Sequence, residues 1–154
     1  MSVVRFVYLL ALGLWIGEVA FFSFVVAPSV FGALPPPDAG NVVSAMFPRY
    51  YALGACFGTV ALLGALLLGR GAAFPRAWTG AAVALAVALG ATVWAGVVVH
   101  PNAQRLRVAA EARGEAPANV DEFRQAHRLA VMLNAVVLLG GLAALGASAA
   151  ALRH

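Results

Sequence analysis

Apolar residues in this chain gather into long runs rather than alternating or keeping to one helical face. The runs cover residues 3–27, 49–69, 77–100 and 120–152. Each is long enough to cross about 30 Å of hydrocarbon as a helix. The pattern predicts an all-α integral membrane bundle of four transmembrane helices, spanning residues 1–154 as one domain. Between the runs the punctuation is proline and polar residues. Pro28 is expected to end the first helix, because the residue before a proline resists the α conformation. Pro35-Pro36-Pro37-Asp38 is a stiff break, and Asp38 can cap a short interfacial helix over residues 39–47. Phe47-Pro48-Arg49-Tyr50-Tyr51 opens the second span, with Pro48 at a helix start and the tyrosines at headgroup level. Pro101 closes the third span. A polar helical extension over residues 102–113 follows, and Gly114-Glu115-Ala116-Pro117 breaks it. Asn119 and Glu122 have the spacing of a cap for the last helix. That helix is longer than the bilayer core, so its first turns project into water or headgroups. Gly13 and Gly17, and again Gly54 and Gly58, form GxxxG pairs that admit a close helix neighbour.

Composition decides the solvent. Hydrophobic residues make up 63% of the chain and charged residues 10%, against about 45–50% and about 25% in soluble domains. The net charge of +4 and pI near 10.2 raise nucleic acid as a partner. All ten cations are arginine, placed at run ends or in the polar segment with no aromatic-interleaved stripe, which excludes it. The partner is the lipid bilayer, with a homo-oligomer as a second expectation. Cys56 is the single cysteine, so no intrachain disulfide framework exists. The first run contains Trp15 and Glu18 and lacks a small-residue cleavage site, so it reads as a retained anchor.

Four spans place both termini on one short side, with Arg5, Arg70, Arg76 and Arg153 and no acid. The long side holds Arg49, Arg105, Arg107, Arg113, Arg124 and Arg128 among five acids. The raw count favours the long side inside. The tight Arg70–Arg76 turn and Arg5 count more fully and favour cytoplasmic termini in a bacterial inner membrane.

Glu18 is the one acid inside an apolar run. A carboxylate at bilayer depth costs about 2.5–3.5 kcal/mol on insertion scales, so Glu18 is expected to face the bundle interior or a wet cavity. It lies about 13 Å below the Ala27 end of its span. Asn134 lies two turns deeper than His127 on the same face, at a similar depth. Thr92, Gly96, His100 and Gln104 form an i, i+4 row on the third helix. Helical arithmetic therefore gathers Glu18, Thr92, His100, His127 and Asn134 into one half of the bundle. Pro28, Phe47, Pro48, Arg49, Tyr50, Gln104 and Arg105 lie at its mouth.

Each of these residues has two readings. Glu18, Thr92 and Asn134 can serve as interhelical glue or as a cation or proton site. His100 and His127 suit the interface, or they can ligate a metal or haem iron. Arg105 and Arg107 suit headgroup phosphates. The sequence requires no cofactor. It contains no HxxxH, ExxH or CxxC pattern and no nucleophile elbow, P-loop or dinucleotide fingerprint, so hydrolase, kinase and soluble dehydrogenase chemistry is unsupported.

Trp15-x-Gly17 with Phe21-Phe22, Ala27-Pro28-x-x-Phe31-Gly32, Phe47-Pro48-x-Tyr50, and His127 with Asn134 together resemble a bacterial four-helix membrane family of unknown function. That family is related to the eukaryotic transmembrane protein 205, which is linked to cisplatin resistance. The resemblance covers nearly the whole chain. It implies a four-helix integral membrane protein and, through the eukaryotic relative, export or trafficking of metal drugs. It carries no established catalytic activity. Three functions follow in order of preference. The first is small-solute or metal/cation transport or resistance. The second is a structural or accessory membrane subunit without chemistry. The third is a haem- or metal-binding redox protein using His100 and His127, by analogy with copper-resistance proteins and haem-dependent membrane oxidases.

Overall fold

A computed structural model describes residues 2–70, 72 and 75–152. Met1, Arg153 and His154 lie outside the described residues, as do residues 71, 73 and 74 of the Arg70–Arg76 turn. Helix α1 (Ser2–Phe21) passes through a π-turn (Phe22–Val26) into α2 (Ala27–Ala33). Then come α3 (Pro36–Gly69) and α4 (Pro75–Trp94), a second π-turn (Ala95–Val99) and α5 (His100–Ala112). A 3-10 turn (Pro117–Asn119) leads to α6 (Asp121–Leu152). No strand occurs among the described residues.

Four continuous helices, Val3–Ala33, Pro36–Gly69, Arg76–Ala112 and Asp121–Ala151, are long and apolar enough to cross a membrane. They close a ring in which α1 and α4 each pack against both α3 and α6. The interior is built from alanines such as Ala61, Ala81, Ala88 and Ala144, with Tyr8, Leu12, Trp15 and Leu85 among the bulky members. Large apolar side chains such as Phe24, Val97 and Leu139 point outward. That inversion is expected where the surroundings are as apolar as leucine and small residues set helix contact.

Two expected helix ends are not ends. Proline at position i lacks the N–H that bonds the carbonyl at i−4, and its ring collides with that carbonyl. The chain answers by widening. Ala27 N–H donates to Phe22 O and His100 N–H to Ala95 O, each five residues back. The π-turns thus contain Phe24 and Val97, the residues whose carbonyls Pro28 and Pro101 would strike. The helix then continues through each proline, so the polar extension of residues 102–113 is the end of the third long helix.

The separate interfacial helix over 39–47 is likewise absorbed into α3, which runs through an exposed Pro48. The real break is Leu34-Pro35, both extended. Pro35 is the N-cap residue and makes no side-chain cap bond, while Asp38 sits in the first turn of α3, where its charge complements the helix dipole. Asn119 belongs to the 3-10 turn, and Asp121 and Glu122 open α6.

The glycine pairs separate. A Cβ on Gly58 would lie 2.7 Å from Trp15 Cη2, and one on Gly54 would lie 3.2 Å from Trp15 Nε1. Gly13 and Gly17 face open space, with nothing within 4 Å.

Candidate functional site

The notch made by Gly54 and Gly58 on α3 fixes the ring of Trp15, which is buried. Glu18 follows three residues later on the same face of α1. Its Oε2 is buried and lies 3.6 Å from the position a Gly54 Cβ would take, while Thr92 Cγ2 lies 3.3 Å from that point. A small cavity of about 10 Å³ opens here, room for a single water. All four long helices line it. Trp15, Glu18 and Val19 come from α1, and Tyr50, Tyr51 and Gly54 from α3. Thr92 and Ala95 come from the third long helix, and Ala130, Leu133, Asn134 and Val137 from α6.

Most polar groups around the cavity are already engaged. Tyr50 donates its hydroxyl proton to Asn134 Oδ1 at 2.5 Å. Asn134 Nδ2 donates to Ser23 Oγ at 2.7 Å. That chain ties α3 and α6 to the first π-turn. Thr92 donates to Ala88 O of its own helix at 3.1 Å. Glu18 therefore has neither of the partners expected for it as helix glue. Two buried side-chain atoms remain without a hydrogen bond among the described residues, Trp15 Nε1 and Glu18 Oε2. Each such group costs about 1–3 kcal/mol if nothing satisfies it.

An aromatic layer covers the cavity on the long side. The Phe22 and Tyr50 ring centres are 4.8 Å apart, and Phe47 and Tyr51 stack at 5.6 Å. His100 packs 5.0 Å from Phe47 and 6.0 Å from Tyr51. Tyr50 is thus an interior residue rather than a headgroup anchor. His127 lies elsewhere, exposed on α6 beside Phe123 at 6.4 Å. The described residues contain no cluster of three or more His, Cys, Asp or Glu placed to hold a metal. Pro28, Pro48, Arg49 and Arg105 are exposed, and Phe47 and Gln104 are half-buried.

Of the sequence-derived set, Glu18, Thr92 and Asn134 therefore share the cavity, while His100 stands one layer above it and His127 apart. Trp15 and Ser23 were not anticipated as contributors, and Tyr50 was expected at the mouth rather than in the cavity wall. Trp15 was legible from its i, i+3 spacing to Glu18 and from the glycine notch. Tyr50 and Ser23 were not, since their placement depends on helix register and on the π-turn.

Arg107 is also not where sequence reasoning placed it. It is 6% exposed rather than in the headgroups. Its guanidinium lies across Gly40, where a Cβ would be 3.2 Å from Cζ. It donates to Glu111 Oε1 (2.9 Å), Ser44 Oγ (3.1 Å), Pro37 O (3.0 Å) and Asn41 Oδ1 (2.6 Å). A five-donor planar fork suits such a site. It clamps α5 to the start of α3 on the long side. A second interior tie, Tyr8 Oη to Ser148 Oγ at 2.5 Å, joins α1 to α6 nearer the termini.

A 60-residue stretch of the chain is 43% identical to an uncharacterized protein of Aquifex aeolicus (strain VF5), covering 38% of this chain and 42% of that relative. The match thus spans less than half the relative's length. No solved structure matches. A family described as a domain of unknown function, DUF4149, matches residues 10–112. That range includes Trp15, Glu18, Tyr50, Gly54, Gly58, Thr92 and Arg107. With two thirds of its length matched, from within α1 to the end of α5, the chain belongs to the DUF4149 family.

Proposed function

We propose that this chain is an integral membrane protein that moves a small cation across a bacterial inner membrane, with Glu18 as the residue that binds and releases it. One observation carries the reading. Glu18 presents a buried, unpartnered carboxyl oxygen to a cavity that all four long helices line. Acids at such depth are costly and characteristically mark ion or proton pathways. Arg5, Arg70 and Arg76 on the short side support cytoplasmic termini. The kinship with eukaryotic transmembrane protein 205 is part of the same proposal, but the cargo it favours here is not a soft metal drug. Cys56 is exposed, and Met46 and Met132 are exposed on different helices, so no sulfur site forms among them.

A purely structural role is the second reading, favoured by the Tyr50–Asn134–Ser23 tie. Cation flux into proteoliposomes separates the two. Glu18→Gln keeps the side-chain shape and removes the charge, so it is expected to abolish flux while the protein stays folded. Equal flux in wild type and Glu18→Gln, or none in either, would leave the structural reading standing.

A further inference from the structure

We propose that one water bridges the Trp15 indole N–H and Glu18 Oε2, and that the cation Glu18 exchanges is therefore a proton rather than a metal ion. This rests on the reading of Glu18 as a transport site. The two unpartnered buried atoms are complementary, one a donor and the other an acceptor. Both lie beside Gly54, 3.2 and 3.6 Å from where a Cβ on that residue would stand, and both residues line the one cavity. A water accepts from the indole and donates to the carboxyl, satisfying both at once. The cavity of about 10 Å³ takes one such molecule and nothing larger.

A metal ion fits the same space badly. The indole N–H turns its positive end into it, and hard cations require several oxygen ligands, six to eight for calcium. Here Asn134 Oδ1 already accepts from Tyr50, and a space of about 10 Å³ has no room for such a shell of ligands.

The surrounding charges point the same way. Glu18 is the titratable group from α1. Tyr50 and Tyr51 face it from α3. Among the described residues, those lining the cavity from the third long helix and from α6 include no titratable group, and no arginine or histidine lines it. No basic side chain at the cavity balances the carboxylate, so an arriving proton does. Hydronium gives its proton to the carboxylate, leaving neutral Glu18 and the bridging water; release reverses the step.

The full chain in proteoliposomes tests this with a pH-sensitive dye inside the vesicles and Na⁺, K⁺ or choline outside. Glu18-dependent flux is expected to acidify the lumen equally in all three salts. Gly54→Ala adds a methyl beside both unpartnered atoms, at 3.2 Å from Trp15 Nε1 and 3.6 Å from Glu18 Oε2, which takes up the space the bridging water needs and leaves the Glu18 carboxyl in place. It is expected to slow proton flux at least about tenfold, the loss of one hydrogen bond to a charged group, with an unchanged circular dichroism spectrum. In the infrared, the carboxyl band lost in Glu18→Gln should shift between H2O and D2O. Glu18-dependent uptake of Na⁺ or K⁺ without protons overturns the proposal and leaves Glu18 as a cation site. Wild-type proton flux in Gly54→Ala overturns the water bridge. No Glu18-dependent flux of any ion overturns the transport reading and the proposal together.

Discussion

Gly58→Ala is expected to destabilise the protein by about 1–3 kcal/mol, although alanine is the better helix former by about 1 kcal/mol. The sign is set by Trp15. The new methyl would stand 2.7, 2.9 and 3.0 Å from Cη2, Cζ2 and Cζ3 of a ring that is 1% exposed. The ring cannot retreat without losing its place beside Glu18. Gly13→Ala supplies the control. Nothing lies within 4 Å of that position, so only the helix term acts, and a neutral or slightly stabilising change is expected. Denaturation of both variants in mixed micelles of increasing SDS content gives the comparison. Equal shifts for the two would mean that α1 and α3 do not meet at Trp15.

Arg107→Ala is expected to cost about 2–4 kcal/mol. Four hydrogen bonds to the guanidinium disappear. Bonds to charged groups contribute about 1.5–3 kcal/mol each, but Asn41 is exposed and the Glu111 side chain is 44% exposed, so water recovers part of the loss. Arg107→Lys should restore less than half, because an ammonium is a point charge on a flexible stem and cannot span Pro37 O, Asn41, Ser44 and Glu111 at once. The SDS midpoint measures stability. Protease cleavage near Asn41 reports whether α3 has lost its hold on α5. Full recovery in Arg107→Lys would show that charge alone, not the fork, holds these helices.

Much of this molecule is legible before any coordinates. Unbroken apolar runs give the long helices because lipid removes the need for an amphipathic face. Glu18 stands out because lipid will not solvate a carboxylate, and periodicity puts Asn134 at its depth. The misreadings are equally physical. Pro28 and Pro101 looked like terminators because a strict α-helix cannot accept them, whereas a turn widened by one residue can. Tyr50 looked like a headgroup anchor because helix phase cannot be read when every face is apolar. Arg107 looked like a lipid contact because its partners lie more than 60 positions away for three of its four bonds. Only the neighbouring Glu111 at i+4 hinted at its role. The glycine pairs teach the same lesson, since identical spacing gives a tight notch at Gly54 and Gly58 and an open face at Gly13 and Gly17.

The inward aspect of Glu18 underlies both the site and its proposed role. Oxygen accessibility of a nitroxide on single cysteines in lipid vesicles, in a Cys56→Ser background, measures it most directly. Glu18→Cys should be markedly less accessible to oxygen than Gly17→Cys and Phe21→Cys, whose positions are exposed on α1. Equal accessibility at all three positions would put residue 18 among the acyl chains and contradict an enclosed polar site.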